Sequence, residues 1–506
     1  MGEKSKTTLL FSSSVILLFF SLSAAVSSPF QFYSLLLRPL PSAPVLTWQD
    51  SDLPFNSLVE TSDLDTINSN TSLGLQLELH YLDALSSEET PDRLFDLRLQ
   101  RDALRAETIN SFVSKAVARK HPRAPGRRPG FSSSVISGLA QGSGEYFTRL
   151  GVGTPPMYLY MVLDTGSDVI WVQCSPCKKC YSQSDPIFDP TKSQSFFGIP
   201  CGSSLCRSLD SSSCNHRRMC LYQVSYGDGS VTFGDFSTET LTFRRNRIGR
   251  VALGCGHNNQ CLFVCAAGLL GLGRGRLSFP TQTERRLNQK FSYCLVDRST
   301  SSKPSSLLFG DTPIPQTAVF TPLLTNPKLN TFYYVQLLGI SVGGTRVPKI
   351  RPSLFKMDRD GNSGVIIDSR TSVTRLTRPA YIVLRNAFRL GSSNLKRAPA
   401  FSLFDTCYDF SSKTSVKVPT VVLHFRGAEV SLPVANYLIP VDSSGTFCFA
   451  FAGTMSGLSI IGNIQQQGFL AAYDLAGSRI EIQQQGFLAA YDLAGSRIEF
   501  KPNACA

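Results

Sequence analysis

The chain has 506 residues, 42% hydrophobic and 17% charged, which excludes a solvated disordered chain and leaves room for a sizeable core. A formal charge of +13 favours anionic surfaces but dictates no fold. Fourteen cysteines are too many for a reduced cytosolic protein and point to disulfides.

At the start, Lys4 and Lys6 precede apolar stretches over Leu9–Phe11 and Val15–Phe20, and small residues follow from Ser23 to Ser28. This is the layout of a secretory signal peptide over residues 1–27, cleaved near Ala25 to Ser28. An uncleaved anchor is the weaker alternative, because Ser12-Ser13-Ser14 interrupts a run already short for a bilayer. Residues 28–130 contain no cysteine. Within them Leu94, Leu97, Arg101, Leu104, Ile109 and Phe112 stand at near-helical spacing. The stretch from Arg119 to Arg128 is basic and broken by proline. It reads as an exposed linker open to proteases, closing a propeptide, with a plain surface loop as the alternative. Asn70-Thr71-Ser72 is a glycosylation acceptor in the same segment.

From Gly144 onward the pattern is β. Short apolar or alternating runs cover Tyr158–Leu163, Val169–Val172, Leu221–Tyr226, Tyr333–Val342, Thr420–Phe425 and Thr446–Phe451. One amphipathic helix is expected over Pro379–Leu390. The fold class is therefore all-β with few short helices, not alternating βαβ units.

A repeated motif carries the chemistry. Val162-Leu163-Asp164-Thr165-Gly166-Ser167 is an apolar run ending in Asp-Thr-Gly, and Ile366-Ile367-Asp368-Ser369 has the same shape. Leu269-Leu270-Gly271 follows the first about a hundred residues on, and Ile460-Ile461-Gly462 follows the second. Two related halves would each present one aspartate from a loop at a strand end. Such a pair suits peptide hydrolysis by activated water. Close carboxylates cannot both ionise easily, so they share a proton. One acts as general base on the water, and the other polarises the scissile carbonyl. Thr165 and Ser369 are placed to hydrogen-bond between the loops, and Gly166 lets backbone approach the carboxylate.

These residues, with Gln223–Ser230, resemble a pepsin-type aspartic protease, and the cysteine-rich stretch from Cys174 to Cys220 resembles the plant nepenthesin-type group. The resemblance runs from about Val135 to the C-terminus. It implies a bilobal fold with a central cleft and a flap hairpin. The N-terminal lobe would span residues 131–320 and the C-terminal lobe 321–506. Tyr226 and Gly227 match the flap, and Trp171 the aromatic residue behind it. The resemblance also implies a secreted zymogen working at acid pH and blocked by pepstatin. The implied disulfides are Cys174–Cys177, Cys180–Cys255, Cys201–Cys220, Cys206–Cys214, Cys294–Cys505 and Cys407–Cys448. A zinc site at Cys174, Cys177 and Cys180 is the competing reading, but no second Cys/His pair stands at finger spacing.

Three features depart from the family pattern. Arg370 stands where the family has glycine, beside Asp368. Glycine-only backbone angles would strain an arginine there, and its charge would disfavour the shared proton. An impaired enzyme is expected, unless Arg370 turns to solvent. Cys261 and Cys265 replace family glycines and add two thiols. Finally, Ile464–Glu481 is repeated without change as Ile482–Glu499, and the family fold has room for one copy, so one is expected to loop out.

Weaker signals are the Gly271–Gly275 stretch, which lacks nucleotide-loop spacing, and Asp358-x-Asp360-x-Asn362, which lacks the glycine and glutamate of a calcium loop. No metal or organic cofactor is expected. Expected partners are peptide or protein substrates, with no nucleic acid, no stable membrane span after signal removal, and a monomeric state. The expected location is the secretory pathway, leading to the apoplast, cell wall or vacuole. The rival reading is a catalytically inactive binding or inhibitor-like protein of the cell wall on the same fold, as in plant xylanase inhibitors.

Overall fold

The computed structural model describes residues 30–38, 74–81, 90–118, 146–225, 231–244, 246–260, 266–295, 305–310, 319–475, 479–483, 488–492 and 497–501. The leader, Asn70, the basic linker, Tyr226, Gly227, Cys261, Cys265 and Cys505 lie outside them.

The body is built from β-strands in two halves. In the first, Tyr146–Val152 and Met157–Asp164 form an antiparallel pair, and Val231–Phe243 and Asn246–Gln260 form the longest hairpin. Gly268–Gly271 runs parallel to the strand that ends at Asp164, with Leu270 opposite Leu163 and Gly271 opposite Asp164. In the second half, Gly364–Ile367 runs parallel to Leu458–Ile461, with Ile367 opposite Ile461. The two apolar-apolar-glycine motifs are thus the parallel partners of the two aspartate strands. Their side chains are buried on both faces, which is why the runs are continuously apolar.

A third layer joins the halves. Lys290–Cys294 pairs with Ser305–Phe309 and Leu470–Asp474, and Val319–Pro322 pairs with Arg479–Gln483. The expected helix forms over Arg378–Gly391 and buries Ala380, Tyr381, Leu384 and Phe388, one face at helical spacing.

The front segment is more ordered than its sequence announced. It supplies strand β1 (Phe32–Leu36), strand β2 (Leu75–Tyr81) and helix α1 (Pro91–Ala118). Leu75, Leu77 and Leu79 alternate and are buried, so β2 has the period of a half-buried strand. It pairs along Ser305–Phe309 and touches the body again at Tyr146 and Phe147.

The first copy of the duplicated stretch takes the place in the third layer. The second copy does not loop out as free chain. Leu488–Asp492 and Arg497–Lys501 form their own hairpin, with a single pairing to the first copy, Glu481 opposite Ile498. The same residues carry the same hairpin preference, and the ladder pairing to Lys290–Cys294 and Val319–Pro322 is made by the first copy.

The disulfide pattern corrects the expected pairing at eight cysteines. The bonds are Cys174–Cys255, Cys177–Cys180, Cys201–Cys214 and Cys206–Cys220. Burial explains the exchange of partners. Cys174 and Cys255 are both fully buried where Trp171–Gln173 lies beside Asn246–Gln260, while Cys177 and Cys180 sit together on the outer turn. Likewise buried Cys206 joins buried Cys220, leaving the two more exposed cysteines to each other. With these three cysteines in disulfides, the zinc reading falls. Cys407–Cys448 forms as expected, and Cys294 is disulfide-bonded.

Candidate active site

Asp164 and Asp368 each end a buried strand, and both are fully buried. The two loops are braced against each other. The Ser369 amide donates to Thr165 Oγ1 at 2.9 Å, and the Thr165 amide and hydroxyl each lie 3.2 Å from Ser369 Oγ. The Gly166 amide donates to Asp164 Oδ1 at 2.8 Å. The Thr371 amide and hydroxyl both donate to Asp368 Oδ2, at 2.8 and 2.7 Å. A Cβ on Gly166 would lie 2.6 Å from Asp368 Oδ1, so the close approach excludes any side chain there. Trp171 is fully buried, in a cluster with Val162, Tyr222, Phe236 and Leu269.

Two cations occupy this site, and only one was legible. Arg105, from α1, is 1% exposed and reaches between the aspartates. Its Nη2 lies 2.7 Å from Asp164 Oδ1 and 3.1 Å from Asp368 Oδ1, and its Nε donates to Asp368 Oδ2 at 3.3 Å. Arg370 does not turn to solvent. It is 2% exposed and places Nη1 3.2 Å from Asp164 Oδ2. The expected backbone strain is absent, because Arg370 is not among the residues with positive φ. Its effect is charge and volume.

Burial pushes the Asp368 carboxyl up, but the Arg105 guanidinium and the Thr371 hydrogen bonds outweigh burial and hold it below the usual carboxylate range. An ionised Asp368 facing a cation cannot be the protonated partner of a dyad.

Helix α1 is seated by more than Arg105. Asp102, one turn earlier on the same face, is fully buried. It accepts from the Ser372 and Val373 amides at 2.5 and 2.9 Å and from Arg375 at 2.6 Å. Phe95 and Leu99 pack with Val373, Phe404 and Ile439, while Ala106, Ile109 and Val113 pack with Phe332, Tyr334, Ile366 and Ile460. The helix therefore lies along the second half with its polar anchors at the two aspartate loops.

Known proteins place this arrangement. A family profile described as "Xylanase inhibitor N-terminal" matches residues 146–311, and one described as "Xylanase inhibitor C-terminal" matches 332–484. Aspartyl protease family protein 2 of Arabidopsis thaliana is 66% identical over 443 residues, covering 87% of this chain and 91% of that one. The chain belongs to the aspartic protease family. Aspartic proteinase nepenthesin-1 of Nepenthes gracilis is 39% identical, over 80% of this chain and 88% of its own. Among solved structures, edgp matches with a TM-score of 0.57 at 21% identity, over 67% of this chain and 92% of that one. Conglutin gamma from lupine seeds matches with a TM-score of 0.53 at 20% identity, over 67% and 91%. These two carry the fold, which is the bilobal pepsin-like one.

Three aspartic-protease site features escaped the sequence reading: Arg105, Asp102 and Asp168. The first two lie in the helical pattern of residues 94–112, as charged residues on its buried face. Asp168, four residues after Asp164, accepts from the Gly275 amide at 2.8 Å and from the Thr331 hydroxyl at 2.7 Å. It explains the Gly271–Gly275 stretch, where a Cβ on Gly271 or Gly275 would collide with Asp168. The calcium-like stretch is a turn in which the Asp358 carboxylate accepts from the Asp360 and Asn362 amides, each at 2.9 Å.

Burial pushes the Asp168 carboxyl up to about 6, against the opposing hydrogen bonds from Thr331 and Gly275. The folded state therefore holds a proton that the unfolded state releases near pH 4. Its contribution to stability is fully present below about pH 4 and is lost as pH rises through about 6, a loss of about 3 kcal/mol. Asp168→Asn mimics the protonated form, with its oxygen toward Gly275 and its NH2 toward Thr331. The difference in melting temperature between pH 4 and pH 7 is expected to shrink by ~5 °C in this variant. An unchanged difference in thermal scans would refute the assignment.

Proposed function

We propose that this chain is the zymogen of a secreted aspartic endopeptidase, in which residues 28–130 are the prosegment and Asp164 and Asp368 the water-activating pair. The observation that carries the reading is Arg105 lying between the two aspartates. A side chain from outside the two-lobed body neutralises the groups that the body braces so carefully. Removing α1 takes away that cation and opens the apolar wall of Tyr334, Ile366 and Ile460 to a peptide. Water between the carboxylates is then deprotonated by one and attacks a carbonyl polarised by the other. The substrate class is peptide bonds in protein chains, and acid pH favours the shared proton. The leader and disulfides support an apoplastic, cell-wall or vacuolar location. The signal over 1–27, the linker as processing site and a monomeric state belong to the same proposal.

Arg370 supports a second reading, because it stays on Asp164 after α1 has gone. A chain so held would serve as an inactive binding or inhibitor-like protein. The test is acid proteolysis of a generic unfolded protein by the secreted chain, before and after cleavage within residues 119–130, with and without pepstatin. Pepstatin-sensitive cleavage that appears only after processing is expected. Equal activity before and after would overturn the zymogen, and none in either state favours the second reading.

A further inference from the structure

Strand β1 binds the body far along the chain from the aspartate loops. It pairs residue for residue with the strand Ser415–Pro419, from Phe32 opposite Pro419 to Leu36 opposite Ser415, as a two-stranded sheet. The ladder continues past both ends. The Gln31 amide donates to the Gly343 carbonyl at 2.9 Å, the Thr420 amide donates to the Gln31 carbonyl at 3.1 Å, and the Leu37 amide donates to the Thr414 carbonyl at 2.9 Å. Side chains give the strand a register. Leu35 is buried in the core cluster, and Tyr33 shares a hydrogen bond with Ser431 at 3.1 Å.

Phe30 is 43% exposed and lays one side of its ring against two glycines. Gly343 has φ +60°, and any Cβ there would overlap the Phe30 ring. A Cβ on Gly391, at the end of the long helix of this lobe, would lie 2.7 Å from both Phe30 Cζ and Pro419 Cγ. Two glycines from separate elements thus leave room for one aromatic ring beside a strand that, among the described residues, has β1 as its one ladder partner. Main-chain pairing supplies affinity and the alternate side chains supply specificity, as in strand addition generally. Without β1 this strand has no ladder partner among the described residues, and its amides and carbonyls are open to pairing beside the two glycines.

We propose that Ser415–Pro419 and the two glycines beside it form a strand-docking site separate from the catalytic cleft. Its ligand is this chain's own Phe30–Leu37, and it keeps the prosegment on the enzyme after α1 has left the aspartates. The proposal rests on the reading of these residues as a prosegment, but its test does not require proteolytic activity.

Hydrogen exchange of the full secreted chain, read peptide by peptide, separates the two anchors. In Asp102→Ala/Arg105→Ala, amides of α1 are expected to lose protection while Phe32–Leu36 keeps it. In Phe30→Ala, protection of Phe32–Leu36 is expected to fall roughly 5–30-fold while α1 is unchanged. Loss of both segments together in either variant, or full protection of Phe32–Leu36 in Phe30→Ala, would overturn the proposal. A labelled peptide of residues 28–38 is then added to a Leu35→Asp chain, whose own strand is dislodged. Saturable binding that is absent for a peptide carrying Phe30→Ala supports the site, and equal binding of both peptides, or of neither, overturns it. Failure of the zymogen reading appears instead as unaltered activity on linker cleavage, so the two failures are distinct.

Discussion

Arg370→Gly is expected to raise peptidase activity of the processed chain at acid pH by roughly 100-fold or more, and the gained activity is expected to be pepstatin-sensitive. The argument is one of charge state. Catalysis needs one proton shared by two carboxylates, and a guanidinium 3.2 Å from Asp164 Oδ2 favours both being ionised. Arg370 is nearly fully buried, so water screens this interaction little. Its buried side chain also takes up volume that a glycine would leave open. A volume-keeping, uncharged substitution separates the two effects. Arg370→Met is expected to recover activity only in part, about tenfold, because the charge is gone and the bulk remains. The measurement is kcat/KM on a quenched peptide from pH 2.5 to 6 for the three proteins. No gain for glycine would mean that Arg370 is harmless and that any weakness lies elsewhere, with the duplicated C-terminus the next suspect.

The same residue shows what was legible in the sequence. Its charge and its place beside Asp368 could be read from one line of sequence. The absence of strain could not, because the loop adopts a conformation that an L-residue tolerates, and that depends on how Ser369 and Thr371 are held by Thr165 and Asp368. The two aspartate loops and their apolar-apolar-glycine partners were legible for a local reason. Each is a buried strand with a required turn, and four short words encode them. The disulfide partners were not, since pairing follows burial, and burial depends on strands that meet across 81 residues, as at Cys174 and Cys255. Helix α1 was legible as a helical pattern but not as a neighbour of the two aspartates. Arg105 and Asp368 are 263 residues apart, and nothing local to either predicts that they touch. The alternation of Leu75, Leu77 and Leu79 was available as a strand signal, whereas its place against Ser305–Phe309 was not.

Arg105 carries the other large expected effect. In the unprocessed chain, with Arg370→Gly present to raise the signal, Arg105→Ala is expected to produce activity without linker cleavage. Removing one partner of a buried ion pair leaves the other charge uncompensated, at a cost of about 3–5 kcal/mol. Here that cost falls on the closed state alone, because an open site is hydrated. Acid acts on the same contact. Asp368 is held below the usual range while α1 is seated, so it binds protons more readily once α1 leaves. The closed state is therefore stabilised at neutral pH, and that stabilisation is lost as pH falls and Asp368 protonates. In the Arg370→Gly background the activation midpoint is expected to move up by about one pH unit in Arg105→Ala. Arg105→Lys keeps the charge but loses the fork that reaches both carboxylates, so its midpoint is expected between the two. Asp102→Ala is expected to loosen the helix without touching the aspartates. It leaves the Ser372 and Val373 amides and Arg375 without their shared acceptor, and its midpoint should rise while kcat of the processed enzyme stays the same. A midpoint indifferent to Arg105 would show that the apolar contacts of Ile109 and Val113 alone keep α1 in place.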